Sequence, residues 1–256
     1  MKSIHLSFSV VCLALTCSAS FAQVDDFESY SLGNIDGQGP WIDFGGEMAN
    51  EVSSDFAFSG TQSLKQTIGP VQGNPVVAGY GSDLYMDLAS PLTTGQWKFS
   101  YQIYVPTSFD GAAILFGSEG SIEEGDFDVG MYLVADGTAD FNEFLYSIDG
   151  GTPSTTPHSL VRDEWVEVNS LIDLDANSVD VFYAGNILYS GTWDPQNSTQ
   201  PSDNDEVSIG GLNFWVQGGN GGSVYYDDIN LSAVPEPSGT TLLYLALVGL
   251  FVRLRR

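Results

Sequence analysis

Glu124-Gly-Asp126-Phe-Asp128 sets three carboxylates at alternate positions. On a strand, alternate residues share one face. Two carboxyl groups about 5 Å apart are what a retaining glycosidase uses, one as nucleophile and one as acid/base. The residues just before them, Gly117-Ser-Glu-Gly-Ser-Ile-Glu-Glu-Gly125, read as a loop, and an acidic loop explains the same carboxylates. A second acidic set lies at the two ends of the body of the chain. Asp25, Asp26 and Glu28 stand near its start, Asp227 and Asp228 near its end. If first and last strands lie together, Asp26, Glu28, Asp227 and Asp228 are the expected ligands of a structural calcium ion, because hard carboxylate oxygens suit that cation. On a regular strand Asp227 and Asp228 point to opposite faces, so at most one serves a given side. Solvated edge acids are the plainer account.

Aromatic residues offer a different chemistry. Sugar rings stack on exposed Trp and Tyr faces while polar side chains fix their hydroxyls. Trp193, beside a polar loop, and Trp215, opposite Leu212, Phe214 and Val216, are the expected platform. Tyr225 and Tyr226 are weaker candidates, and Trp41, Trp97 and Trp165 are expected in the core. Other chemistries fail on residue type. Asp173-Leu-Asp-Ala-Asn177 begins like a calcium loop, but Ser178 replaces the required Gly and Ala184 stands where Glu should close the loop. His158 is the single histidine after residue 5, which argues against a Ser/His/Asp set and a histidine zinc site. No phosphate-cradling glycine loop opens a helix.

The elements that must position these residues are strands. Trp97-Lys-Phe-Ser-Tyr-Gln-Ile-Tyr-Val105 alternates over nine residues, with Trp97, Phe99, Tyr101, Ile103 and Val105 on one face. Pro106 ends it. Apolar runs at 112–116 and 129–134 and the alternation of Phe144, Tyr146 and Ile148 predict three more strands. The stretch from Trp165 to Tyr189 predicts two consecutive hairpins, turning at Asp175-Ala-Asn-Ser178 and Ala184-Gly185-Asn186. Residues 207–216 and 223–231 are the last strands. No helix is expected between residues 23 and 233. The fold class is all-β, a sandwich or barrel.

Asp26-Phe-Glu-Ser-Tyr30 at the start, Trp165-Val-Glu-Val with its hairpin, and Tyr225-Tyr-Asp-Asp-Ile229 at the end resemble the concanavalin A-like (laminin G-like) jelly rolls in their order. That resemblance implies a jelly-roll β-sandwich over residues 23–233, in a class that includes lectins, carbohydrate-binding modules and glycoside hydrolases. It also implies that calcium can sit where first and last strands meet. Laminarinase-like hydrolases of this class carry Glu-x-Asp-x-Glu. Here Asp128 replaces the last Glu and Gly125 an apolar residue.

Both ends read as addresses. Met1 to Ala22 has a short basic start, an apolar run from Leu6 to Leu15 and small residues at Ser20 and Ala22, which makes a signal peptide cut after Ala22. Cys12 and Cys17 both lie inside it, so residues 23–233 have no disulfide and no thiol chemistry. At the other end Pro235-Glu236-Pro237 precedes an uncharged run to Val252 and then Arg253, Arg255 and Arg256. The run, about 239–252, is shorter than the roughly 20 residues of a comfortable span. With snorkelling arginines it can cross a thin bilayer, basic end inside. Residues 234–256 resemble the PEP-CTERM sorting tail of Gram-negative bacteria. The resemblance implies processing by an exosortase and delivery to the cell envelope, surface or extracellular matrix.

Three basic residues against 32 acidic ones leave residues 23–233 with a formal charge of −29. Such a body repels nucleic acid and anionic lipid. The sequence thus points to an exported, non-catalytic surface or matrix protein that binds extracellular polysaccharide through Trp193 and Trp215. A jelly-roll hydrolase using Glu124, Asp126 and Asp128 and a structural matrix protein without a ligand are the alternatives.

Overall fold

The computed structural model describes residues 21–43, 50–68, 82–118, 129–134, 138–141, 158–193, 207–217 and 221–235. Every regular element among them is a strand. In chain order these are β1 (Phe21–Asp25), β2 (Gly33–Asn34), β3 (Ile42–Asp43), β4 (Asn50–Ser53), β5 (Ser63–Ile68), β6 (Asp83–Leu92), β7 (Gln96–Tyr104) and β8 (Ala112–Ser118). Then follow β9 (Val129–Val134), β10 (Thr138–Phe141), β11 (His158–Ser159), β12 (Trp165–Asp173), β13 (Ser178–Tyr183), β14 (Asn186–Thr192), β15 (Ile209–Gln217) and β16 (Gly222–Ala233).

Among the described residues these strands form two antiparallel sheets. One has nine strands in the order β14-β13-β12-β7-β16-β5-β4-β2, with β1 also paired to β16. The other has seven, in the order β11-β10-β9-β8-β15-β6-β3. The expected alternation is present. Phe99, Tyr101 and Ile103 of β7, Val166, Val168 and Ile172 of β12, and Val179, Val181 and Tyr183 of β13 all point into one core. From the other sheet Leu84, Met86, Leu212, Phe214 and Val216 meet them. Phe214 sits edge-on to Tyr226 at 4.9 Å and to Tyr101 at 5.8 Å across the layers. Both predicted turns form. Ala184 and Gly185 both take positive φ (50° and 74°), the backbone a tight two-residue hairpin needs. The strand predicted at 144–148 lies outside the described residues.

Strands β4 and β5 were not expected, because polar Asn50 and Gln66 interrupt the inward apolar series of Val52, Leu64 and Ile68. Asn50 and Gln66 are fully buried between the sheets. Gln66 Nε2 donates to the Asn50 side-chain oxygen and to the Phe214 carbonyl, both at 2.8 Å. Asn50 Nδ2 donates to the Asp83 carbonyl at 3.2 Å. This polar chain ties the backbones of β15 and β6 to the nine-stranded sheet, each bond contributing about 1 kcal/mol.

Strand β16 departs from regular alternation. Val224 and Tyr226 point inward, and then Ile229 and Leu231 do, so the phase changes by one residue. A β-bulge between Asp227 and Asn230 causes this, with Asp228 at φ 48°.

Candidate functional site

Strand β15 sends Leu212, Phe214 and Val216 into the core, so Asn213 and Trp215 stand on the opposite face. Cross-strand pairing sets Tyr85 of β6 beside Asn213 and Asp83 beside Trp215. Asp87 pairs with Gly211 on the same face. The patch is recessed. Asn213 is 2% exposed and Tyr85 3% exposed, although Tyr85 is no part of the core cluster between the sheets. Trp215 and Asp83 are partly exposed.

Asn213 Nδ2 donates to Asp83 Oδ1 at 2.9 Å. Asn213 Oδ1 is buried and accepts no hydrogen bond from the described residues. Burial pushes the Asp83 carboxyl up to about 6; the Asn213 bond pulls it down and the Asp43 charge pushes it further up. The patch therefore offers an indole, an unspent carbonyl oxygen and a carboxyl group side by side. These can stack an apolar ring face and accept hydroxyl protons. Asp83 and Asp87 lie four residues apart on β6, with their backbones separated by about 13 Å.

The other expected residues lie elsewhere. Trp193 is no platform: it is 7% exposed, belongs to the core, and donates through Nε1 to the Ser208 carbonyl at 2.9 Å. Trp165, expected in the core, stands instead on the outer face of the nine-stranded sheet. There Phe58, Trp165, Tyr104, Phe56 and Tyr225 form a row with neighbouring centroids 6.0, 5.5, 4.5 and 4.9 Å apart. Trp97 packs partly buried against the core and Trp41 is fully buried. Tyr226 is core and Tyr225 is buried under Phe56. Glu124, Asp126 and Asp128, and the tail residues Glu236, Pro237, Arg253, Arg255 and Arg256, lie outside the described residues; Pro235 is exposed.

The expected calcium ligands do not converge. Among the described residues no three His, Cys, Asp or Glu groups are placed to hold a metal. Instead the carboxylates hold N–H and O–H donors of the 54–62 loop. Asp227 Oδ2 accepts from the Phe58 and Ser59 amides at 2.8 and 3.1 Å, and Oδ1 from the Asp228 amide at 2.8 Å. Asp228 Oδ1 accepts from Ser59 Oγ at 2.7 Å. The bulge thus lets both neighbours serve the same loop, against the expectation for a regular strand. Glu28 Oε1 accepts from the Thr61 and Gln62 amides at 2.8 Å each. These two amides hold its carboxyl below the usual range. Asp26 Oδ1 accepts from the Glu28 amide at 3.2 Å. Asp25, buried, accepts from the Phe27 amide, the Tyr30 hydroxyl and Trp41 Nε1. A cation at Asp227 or Glu28 would have to displace these donors.

No family model matches the chain, and no curated protein matches it. Solved structures do. The chain is similar to a cellulose induced protein, Cip1, at 16% identity and a TM-score of 0.53 over 83% of this chain and 97% of that one. It is similar to the catalytic domain of a glycoside hydrolase family 131 protein from Coprinopsis cinerea, at 14% identity and a TM-score of 0.50, covering 77% and 85%. It is also similar to the globular domain of T. cruzi calreticulin, at 10% identity and a TM-score of 0.53, covering 83% and 89%. The fold is a jelly roll. At such identities the likeness carries the fold alone.

Proposed function

We propose that this chain is an exported surface or matrix protein whose jelly roll binds carbohydrate without cleaving it. The observation that carries the reading is the juxtaposition of the Trp215 indole with Asn213 and Asp83 on the outer face of the seven-stranded sheet. Stacking and hydroxyl recognition need just these groups together. A glycoside hydrolase domain among the structures of this fold supports the carbohydrate reading. The tail, Pro235-Glu236-Pro237 to Arg256, supports export followed by processing, with signal peptidase and exosortase as partners. An intact mass of the surface-released protein that lacks the residues after the motif is the expected sign of it.

The test is native affinity electrophoresis of the full chain, purified in mild detergent, through gels cast with different polysaccharides and then stained for clearing. Retardation without clearing, lost in Trp215→Ala, is expected. Clearing that Glu124→Gln abolishes would replace this reading with the hydrolase. Free migration in every gel would leave a structural matrix protein.

A further inference from the structure

We infer that the surface around Trp215 takes uncharged polysaccharide and excludes acidic glycans. This rests on reading that face as a carbohydrate surface. Between residues 23 and 233 the chain has only Lys65, Lys98 and Arg162. Lys65 Nζ lies 2.8 Å from Glu51 and 2.9 Å from Asp55. Lys98 Nζ lies 3.3 Å from Glu167. Arg162 Nη1 donates to the Pro106 and Phe109 carbonyls at 3.0 and 2.9 Å. Both lysines belong to the nine-stranded sheet, across the sandwich from Trp215. Packed sheets lie about 10 Å apart, so neither ammonium group can pair with an anion bound on the other face. His158 is on β11, four strands from β15 and so about 19 Å away, and its ring faces the Ile187 carbonyl at 3.1 Å.

The charged groups that face the site are acidic. Asp83 and Asp87 flank it, and Asn213 has already given an amide proton to Asp83, leaving its buried carbonyl oxygen to be filled. The Asn213 oxygen and the Asp83 carboxylate suit a ligand that brings donors. Sugar hydroxyls supply them. Carboxylate and sulfate groups bring no proton, would meet like charge, and would find no guanidinium or ammonium partner. Hydroxyls of either kind of glycan can serve Asn213, but an acidic glycan adds repulsion from Asp83 and Asp87 with no cation to offset it.

The electrophoresis gels separate this inference from the reading beneath it. Neutral polymers (hydroxyethyl cellulose, xyloglucan, galactomannan, pullulan) are run against anionic ones (carboxymethyl cellulose, alginate, polygalacturonate, xanthan), with Trp215→Ala beside the unmodified chain. The expected result is Trp215-dependent retardation in at least one neutral gel, and affinity at least tenfold weaker in every anionic gel. Trp215-dependent retardation in an anionic gel of equal or greater strength would overturn the exclusion and leave the carbohydrate surface standing. Free migration in both classes would overturn both. Melting curves of Trp215→Ala guard against loss of fold being read as loss of binding.

Discussion

The two outer faces of the sandwich use aromatic side chains in opposite ways. On the nine-stranded sheet five rings stand in a row, but they face one another. Phe56 stacks on Tyr104 with planes only 24° apart, and its edge covers Tyr225. Phe56 and Phe58 come from the 54–62 loop, which Asp227, Asp228 and Glu28 clamp down. Their ring faces are spent on holding that loop, even though Phe58 is 49% exposed. On the outer face of the seven-stranded sheet the partly exposed Trp215 indole, with Tyr85 nearby, stands beside a buried Asn213 oxygen that has no donor among the described residues. Aromatic count is therefore a poor guide to a sugar platform. The proposed ligand face rests instead on a ring that stands on an outer face beside an unsatisfied acceptor.

A pair of substitutions sharpens this most. Trp215→Ala should lower polysaccharide affinity by about 2 kcal/mol or more, roughly 30-fold, as loss of an aromatic anchor does. Trp165→Ala should leave the affinity unchanged and lower the melting temperature. Affinity electrophoresis and thermal melts of both variants decide it. If Trp165→Ala is the one that abolishes retardation, the roles assigned to the two faces are reversed.

Asp227→Ala should follow in size. It orphans the amides of Phe58, Ser59 and Asp228, and such losses cost about 2–3 kcal/mol in all. Denaturant titration should show the loss, and hydrogen exchange should rise first at Phe58 and Ser59. Gly60→Ala attacks the same loop more gently. Gly60 has φ 60°, and a Cβ there would meet the Glu28 carboxylate at 2.4 Å. The left-handed backbone and a pushed carboxylate together cost about 1–2 kcal/mol. Neither variant should move glycan affinity. A parallel fall in affinity would mean that the faces are coupled through the sandwich.

Some of this was legible in the sequence and some was not. The period-two run of β7 announced itself, because each inward residue is large and apolar. The same rule, applied to Leu212-Asn-Phe-Trp-Val216, already placed Asn213 on the Trp215 face. It also placed Trp165 with Glu167, away from Val166 and Val168; hydrophobicity alone misassigned it to the core. Trp193 follows the end of β14, where no alternation reports a side chain's direction, and its burial depends on the Ser208 carbonyl. Asp83 joins the site through a side-chain bond from Asn213, 130 positions away in the chain. Nothing in the local pattern reports such a contact. The bulge was equally hidden, since Asp228 adopts a left-handed backbone that usually signals itself by glycine.

The charge state of the recess gives a smaller effect. Asp83 titrates at about 6 chiefly because of burial, and so does Asp227. The folded chain keeps these protons at a pH where the unfolded chain has released them. Their stabilising share is full below about pH 4 and is lost as the pH rises through about 6. Glu28, Asp55, Asp163 and Asp173, held low by hydrogen bonds, act the other way, and their share is lost as pH falls through their lowered values. Asp83→Asn keeps the shape and removes one titration. Against the unmodified chain it should gain on the order of 1 kcal/mol in stability between pH 4 and pH 7. A difference that stays flat would mean Asp83 is well solvated, and the contrast between a recessed face and a packed one would weaken.

Calcium should do least of all. Each oxygen of Asp227 accepts at least one N–H, and Glu28 accepts two amides and the Thr61 hydroxyl. To bind, a cation would have to displace donors that hold the 54–62 loop against the sheet, so the gain in coordination is set against the loss of those bonds. The melting temperature should be the same, within about a degree, in chelator and in millimolar calcium. A ligand that binds only the folded chain raises stability by about 2.7 kcal/mol at a hundred times its dissociation constant. A rise of several degrees would therefore mean a tight site and a rearranged loop, with the carboxylates turned from its amides toward the ion. The row of rings above would then be a consequence of calcium, and Phe58 and Ser59 amide exchange would depend on it. With no rise, the acids at the two ends of the domain are clamps for a loop, and the acceptor that still lacks a donor beside Trp215 is the buried Asn213 oxygen.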